Sequence, residues 1–133
     1  MKARTTLLIL LTFSSILNAQ WLWQNPLPQG NWLFDVKYTN PETAMAVGAD
    51  GTIIKTTDGG GNWQRMEANT GYYLHGLFTL NSQISFAVGD HGTFLKTTDG
   101  GSYWEVTDAI VNKDLIDVFF INEMTGWATG WGV

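Results

Sequence analysis

A nine-residue stretch is written twice in this chain, KTTDGGGNW at 55–63 and KTTDGGSYW at 96–104, and the copies stand 41 residues apart. The same step of 41 carries Ala46-Val47-Gly48 to Ala87-Val88-Gly89, and then to Ala128-Thr129-Gly130. Leu33, Leu74 and Leu115 keep it, as do Val36, Leu77 and Val118. The register runs through two copies and into a third without insertion. The chain is therefore a repeat array, and one copy's fold must also serve its neighbours.

Each copy reads as strands separated by turn chemistry. LFDVKY (33–38) is rich in β-formers, Pro41-Glu42 interrupts, and AMAVG (44–48) follows. Asp50-Gly51 supplies a tight turn into TIIKT (52–56), and the glycine-rich stretch leads to WQRM (63–66). Four antiparallel strands in a unit of about 40–45 residues is the size of a β-propeller blade. These strands do not alternate cleanly between apolar and polar residues. Sheets covered on both faces read that way, as blades stacked around an axis are. The expectation is an all-β chain with a blade at 33–66, a second at 74–107 and the start of a third at 115–133, together an incomplete ring. Only 108–113 is ambiguous between helix and strand.

The first twenty residues, MKARTTLLILLTFSSILNAQ, follow a different rule. Lys2 and Arg4 precede an apolar run from Leu7 to Leu17, and the small residue Ala19 offers a cleavage point. That is the pattern of a secretory signal peptide over 1–19, with an apolar run too short to span a bilayer. Residues 20–133 would then form a partial propeller exported to a bacterial periplasm or medium, with no membrane span after cleavage. The chain has no cysteine, which excludes a disulfide and a lipid-bearing cysteine at the cleavage site. Beyond residue 19 the bases are Lys37, Lys55, Arg65, Lys96 and Lys113 against twelve acids, a net charge of −7. Such a surface offers no electrostatic footprint for nucleic acid or anionic lipid.

The repeated stretch fits Thr-x-Asp-x-Gly-x-x-Trp at Thr56, Asp58, Gly60 and Trp63, and again at Thr97, Asp99, Gly101 and Trp104. It resembles the Asp-box of bacterial neuraminidase-type repeats, a turn between the last two strands of a blade. Asn62 and Tyr103 stand where the motif usually has threonine. A short Asp side chain accepts hydrogen bonds from its own turn, glycine supplies angles closed to other residues, and tryptophan buries a flat surface. The motif is thus read as structural, not catalytic.

The longer pattern is similar to the photosystem II assembly and stability factor type of β-propeller. The residues that carry the resemblance include Ala46-Val47-Gly48 with Gly51-Thr52-Ile53-Ile54-Lys55-Thr56-Thr57-Asp58-Gly59-Gly60, and their copy. Leu115, Asp117, Val118, Phe119-Phe120 and Thr125-Gly126-Trp127-Ala128 fit it, as does Trp21-Leu22-Trp23-Gln24-Asn25-Pro26. The resemblance implies a non-enzymatic protein-binding or assembly module. Photosynthetic members bind a reaction-centre subunit through an arginine-rich patch. Here Arg65 is the single arginine after residue 19.

Sharper chemistries fare poorly. A sialidase grips its substrate carboxylate with several guanidinium forks, and one arginine does not make that cluster. A glycosidase needs two carboxylates across one bond; Asp35 and Asp117 hold matching positions in copies one and three, but the middle copy has Gly76. Asp50-Gly51, Asp58-Gly59 and Asp90-His91-Gly92 do not have the ligand alternation of a calcium loop. His75 and His91 lack zinc-site spacing and read as ordinary strand and turn residues. Neither glycine-rich turn has the lysine and helix of a phosphate loop. No catalytic, metal or cofactor residues are assigned.

Trp21, Trp23, Trp32, Tyr72 and Tyr73 lie outside the hairpin motif. They offer either packing between blades or an aromatic face for a protein or glycan partner. The alternative to a protein-binding module is accordingly a carbohydrate-binding or glycoside-hydrolysing propeller. Trp23-Gln24 resembles Trp63-Gln64, which suggests an orphan last strand at 21–25. Two blades and part of a third leave an open strand edge. The expectation is a fragment of a longer protein, or else self-assembly of several chains into a ring.

Overall fold

The computed structural model describes residues 30–107 and 111–132. The expected signal peptide at 1–19, the orphan strand at 21–25 and three residues of the ambiguous stretch, 108–110, lie outside the described residues.

Strands β1 (Leu33–Tyr38), β2 (Ala44–Gly48), β3 (Ile53–Thr56) and β4 (Gln64–Met66) form one antiparallel sheet in that order. Strands β5 (Leu74–Thr79), β6 (Ser85–Gly89), β7 (Phe94–Thr97) and β8 (Glu105–Thr107) form a second sheet in the same order. A hairpin of β9 (Leu115–Asn122) and β10 (Thr125–Gly130) begins the pattern a third time. The sequence period is also a period of register. Val36 stands opposite Ala46, Leu77 opposite Ala87, and Val118 opposite Ala128. Each first strand even bulges at one place, at Phe34, His75 and Ile116, 41 residues apart. A bulge that recurs in every copy belongs to the fold and not to local accident.

The sheets stack face to face through two apolar layers. Met45, Val47 and Ile53 of the first sheet meet Leu74, Leu77, Ala87, Leu95 and Trp104 of the second. Phe86 and Val88, on the other side of the second sheet, meet Leu115 and Val118 of the hairpin, with Phe78, Phe94 and Phe120 packed beside them. Every residue of β6 is therefore buried. That two-sided cover is the physical reason the strands fail to alternate in sequence. The short outer strands β4 and β8 keep largely exposed side chains.

The first strands β1, β5 and β9 lie side by side. Gly76 of β5 lets β9 approach closely, since a Cβ there would fall 2.7 Å from the Ile116 carbonyl oxygen and 3.0 Å from the Asp117 Cα. Polar links also cross between units. Lys55 Nζ donates to the Gly100 carbonyl at 2.7 Å, and Asn69 Nδ2 donates to the Trp104 carbonyl at 3.0 Å. Nothing in the described residues is a helix long and apolar enough to cross a membrane.

Candidate functional site

Two places were singled out by sequence, and the structure gives them different characters. In the β3–β4 turn the Asp58 carboxylate is engaged on both oxygens. Its Oδ1 accepts the Asn62 backbone N–H at 2.8 Å and the Thr56 hydroxyl at 2.8 Å, while Oδ2 accepts Asn62 Nδ2 at 2.7 Å. The Thr56 oxygen in turn accepts the Gly60 N–H at 3.0 Å. One repeat later the scheme returns. Asp99 Oδ1 accepts the N–H groups of Ser102 and Tyr103 at 2.9 and 3.0 Å and the Thr97 hydroxyl at 2.8 Å, and Thr97 Oγ1 accepts the Gly101 N–H at 2.9 Å. Gly60 and Gly101 adopt φ of 93° and 90°, a conformation open to glycine and closed to most side chains.

These donors hold the Asp58 pKa at about 2, the Asn62 backbone N–H contributing most, then the Asn62 side chain and the Thr56 hydroxyl. Asp99 is likewise lowered, chiefly by the Tyr103 N–H. A carboxylate so placed is ionised at neutral pH, has no proton to give, and spends its lone pairs on the turn. Asp35 and Asp117 are also engaged locally. Asp35 pairs with Lys37 Nζ at 2.6 and 2.8 Å, and Asp117 Oδ1 accepts the Val118 N–H at 2.8 Å.

The two motif tryptophans part company. Trp104 is fully buried between the first and second sheets, beside Met45 and Gly101. Trp63 is half-buried and lines the other face of the first sheet with Leu33, Val36, Ala46 and Ile54. The local sequences match, so the difference lies in the neighbour: no described sheet covers that face.

The β2–β3 turns, Ala49–Gly51 and Asp90–Gly92, lie at the opposite ends of the strands from the acidic turns. Here some of the aromatic residues outside the hairpin motif gather. Trp32, Tyr73 and Asp114 hold one repeat position, and each carbonyl accepts the same N–H of its own unit: Ala49, Asp90 and Trp131. Trp32 and Tyr73 line a common recess with Asn31 and Asp50. Phe34 then bridges, its ring centroid 5.9 Å from Tyr73 and 5.3 Å from His75. His75 Nε2 lies 2.6 Å from Asp90 Oδ1, and Tyr72 stacks on His91 at 4.7 Å. Trp21 and Trp23 lie outside the described residues. Phe34, Asp50, His75 and Asp90 were not singled out as members of this surface. The available signal was the repeat itself, which puts Phe34 and His75 at one bulge position and Trp32 and Tyr73 two residues before it.

Stacked four-stranded antiparallel sheets, with first strands gathered together and a recurring acidic hairpin, define a β-propeller array. The chain belongs to the family described as photosynthesis system II assembly factor YCF48, whose model matches residues 14–105. Among solved structures it resembles one described as YCF48 bound to D1 peptide, with a TM-score of 0.69 at 20% identity over 80% of this chain and 36% of that one. YCF48 from Cyanidioschyzon merolae superposes with a TM-score of 0.64 at 14% identity, over 77% of this chain and 36% of that one. At these identities the likeness is one of fold, and the chain spans little more than a third of either protein. No curated protein matches the chain.

Proposed function

We propose that this chain is an exported, non-enzymatic propeller module of the assembly-factor family that works by binding a protein partner. The observation that carries the reading is the family match over residues 14–105. A fold relative solved with a peptide bound supports it. So does the chemistry of the acidic turns, whose carboxylates are consumed in holding the backbone. The lysine- and arginine-initiated apolar leader at 1–19 supports export. The test is photo-crosslinking from position 72 in the native envelope or secreted fraction. A discrete protein adduct is expected. Turnover of a glycoside by the purified chain, with no protein adduct, would overturn the reading.

The exposed rings of Trp32, Tyr72 and Tyr73 favour one second reading, glycan binding. A glycan array separates it from the first: a binder whose affinity vanishes in Trp32→Ala supports carbohydrate recognition.

A further inference from the structure

The recess beside Trp32 has a chemistry narrower than an aromatic surface in general. Gly30, Asn31, Trp32, Ala49, Asp50 and Tyr73 line a shallow, open recess of about 200 Å³. That is below the roughly 300–1,000 Å³ of small-molecule sites and suits one side chain. Trp32 is 73% exposed and Tyr73 is 38% exposed, so ring faces are open to a ligand. Asp50 projects from the tip of the β2–β3 turn at φ 53°, and it makes no hydrogen bond or ion pair among the described residues. Phe34 continues the wall to His75, whose Nε2 lies 2.6 Å from Asp90 Oδ1.

An aromatic face beside an unpaired carboxylate selects a cation, through the ring quadrupole and through charge. Three of the chain's own cations are engaged elsewhere: Lys37 on Asp35, Lys55 on the Gly100 carbonyl, and Lys96 over the Phe86 ring. The acidic balance beyond residue 19 draws a basic segment towards the surface. A neutral sugar would stack on Trp32 and donate hydroxyls to Asp50, but it would gain nothing from the acidic balance of the surrounding surface.

We propose that this recess receives a lysine or arginine side chain from an extended segment of a partner protein, its cationic head over the Trp32 and Tyr73 rings and paired with Asp50. The proposal rests on the protein-binding reading and names the chemistry of the partner.

The test titrates the full chain with a synthetic Gly-Ser peptide carrying two arginines, and with the same peptide carrying glutamines instead. The arginine peptide binds and weakens as salt rises; the glutamine peptide binds at least about tenfold more weakly. Asp50→Asn and Trp32→Ala each cost about tenfold, with thermal melts unchanged, because Asn also tolerates the left-handed turn and Trp32 is largely solvated. Equal affinity for the two peptides overturns the proposal. So does absence of arginine-peptide binding at about 1 mM, or binding that neither variant weakens. Cellohexaose binding lost in Trp32→Ala, with no arginine-peptide binding, assigns the recess to glycan instead. A protein adduct from position 72 without arginine-peptide binding leaves the protein-binding function standing and removes only the cation recess. The reverse pattern keeps the recess and removes the function.

Discussion

Asp35 Oδ2 accepts the backbone N–H of Leu77 at 2.9 Å, so a side chain of the first sheet satisfies the innermost strand of the second. Strand β5 pairs with β6 on one side only, and Leu77 is fully buried. Without Asp35 that donor has no partner. Asp35→Ala is expected to cost about 1–2 kcal/mol and to speed exchange of the Leu77 amide at least about tenfold. Hydrogen exchange followed by NMR checks it. An unchanged Leu77 amide would count against the link.

Gly76→Ala tests the approach of β5 to β9. The added Cβ would meet the Ile116 carbonyl oxygen at 2.7 Å, and backbone does not swing aside as a side-chain end does. Overpacking of this kind costs about 1–3 kcal/mol. Gly71→Ala is the matched control, with nothing within 4 Å of the new carbon. It is expected to be neutral or stabilising by up to about 1 kcal/mol, through a less flexible unfolded chain. Urea midpoints of the two variants should move in opposite directions, or only the first should move.

The motif tryptophans give a third contrast. Trp104→Ala empties a fully buried site between two sheets and should cost about 3–5 kcal/mol. Trp63→Ala, at the half-buried equivalent position, should cost less than half of that. Equal losses would show that the turn, not the stacked sheet, is what each ring supports.

Acid should loosen the hairpins in a defined window. Asp58 has a folded pKa of about 2 against an ordinary value of 3.8, so the folded state favours the ionised form. Its stabilising contribution is complete above about pH 4 and is lost as pH falls towards about 2. Asp99 acts in the same direction. In the Asp58→Asn, Asp99→Asn double variant, the fall in urea midpoint between about pH 5 and about pH 2 should shrink relative to the parent. An identical fall in both proteins would place the acid sensitivity elsewhere.

Much of the fold was legible because the repeat writes its strand pairing in sequence. The unclean alternation of β6 signalled a sheet covered on both sides, and β6 lies buried between two apolar layers; β2 is buried as well, although no described sheet covers its second face. The glycine and threonine positions around Asp58 and Asp99 signalled a turn closed by its own acid, and the hydrogen bonds fall on those residues. What depends on a neighbouring unit was not legible. Trp63 and Trp104 share a motif and differ in burial because of what faces them. Asp35 finds Leu77 42 residues away, and no local pattern names that partner. The histidines read as ordinary strand and turn residues. Stacking of His91 on Tyr72, and pairing of His75 with Asp90, are products of the tertiary arrangement.

The two apolar layers use the same positions but not the same volumes. Met45 meets Gly101 and Trp104 across the first layer, whereas Phe86, its equivalent one repeat later, stacks on Phe120 at 3.7 Å and 8°. The residue that corresponds to Phe120 in the preceding unit is Thr79, which offers no ring to stack on. A phenylalanine at 45 would therefore drive its ring at the Gly101 turn, and a methionine at 86 would leave Phe120 without its stacking partner. Look-alike units risk docking onto the wrong neighbour while the chain is still folding. Differences in side-chain bulk give each junction its own key, so the linear order of the units is enforced in three dimensions.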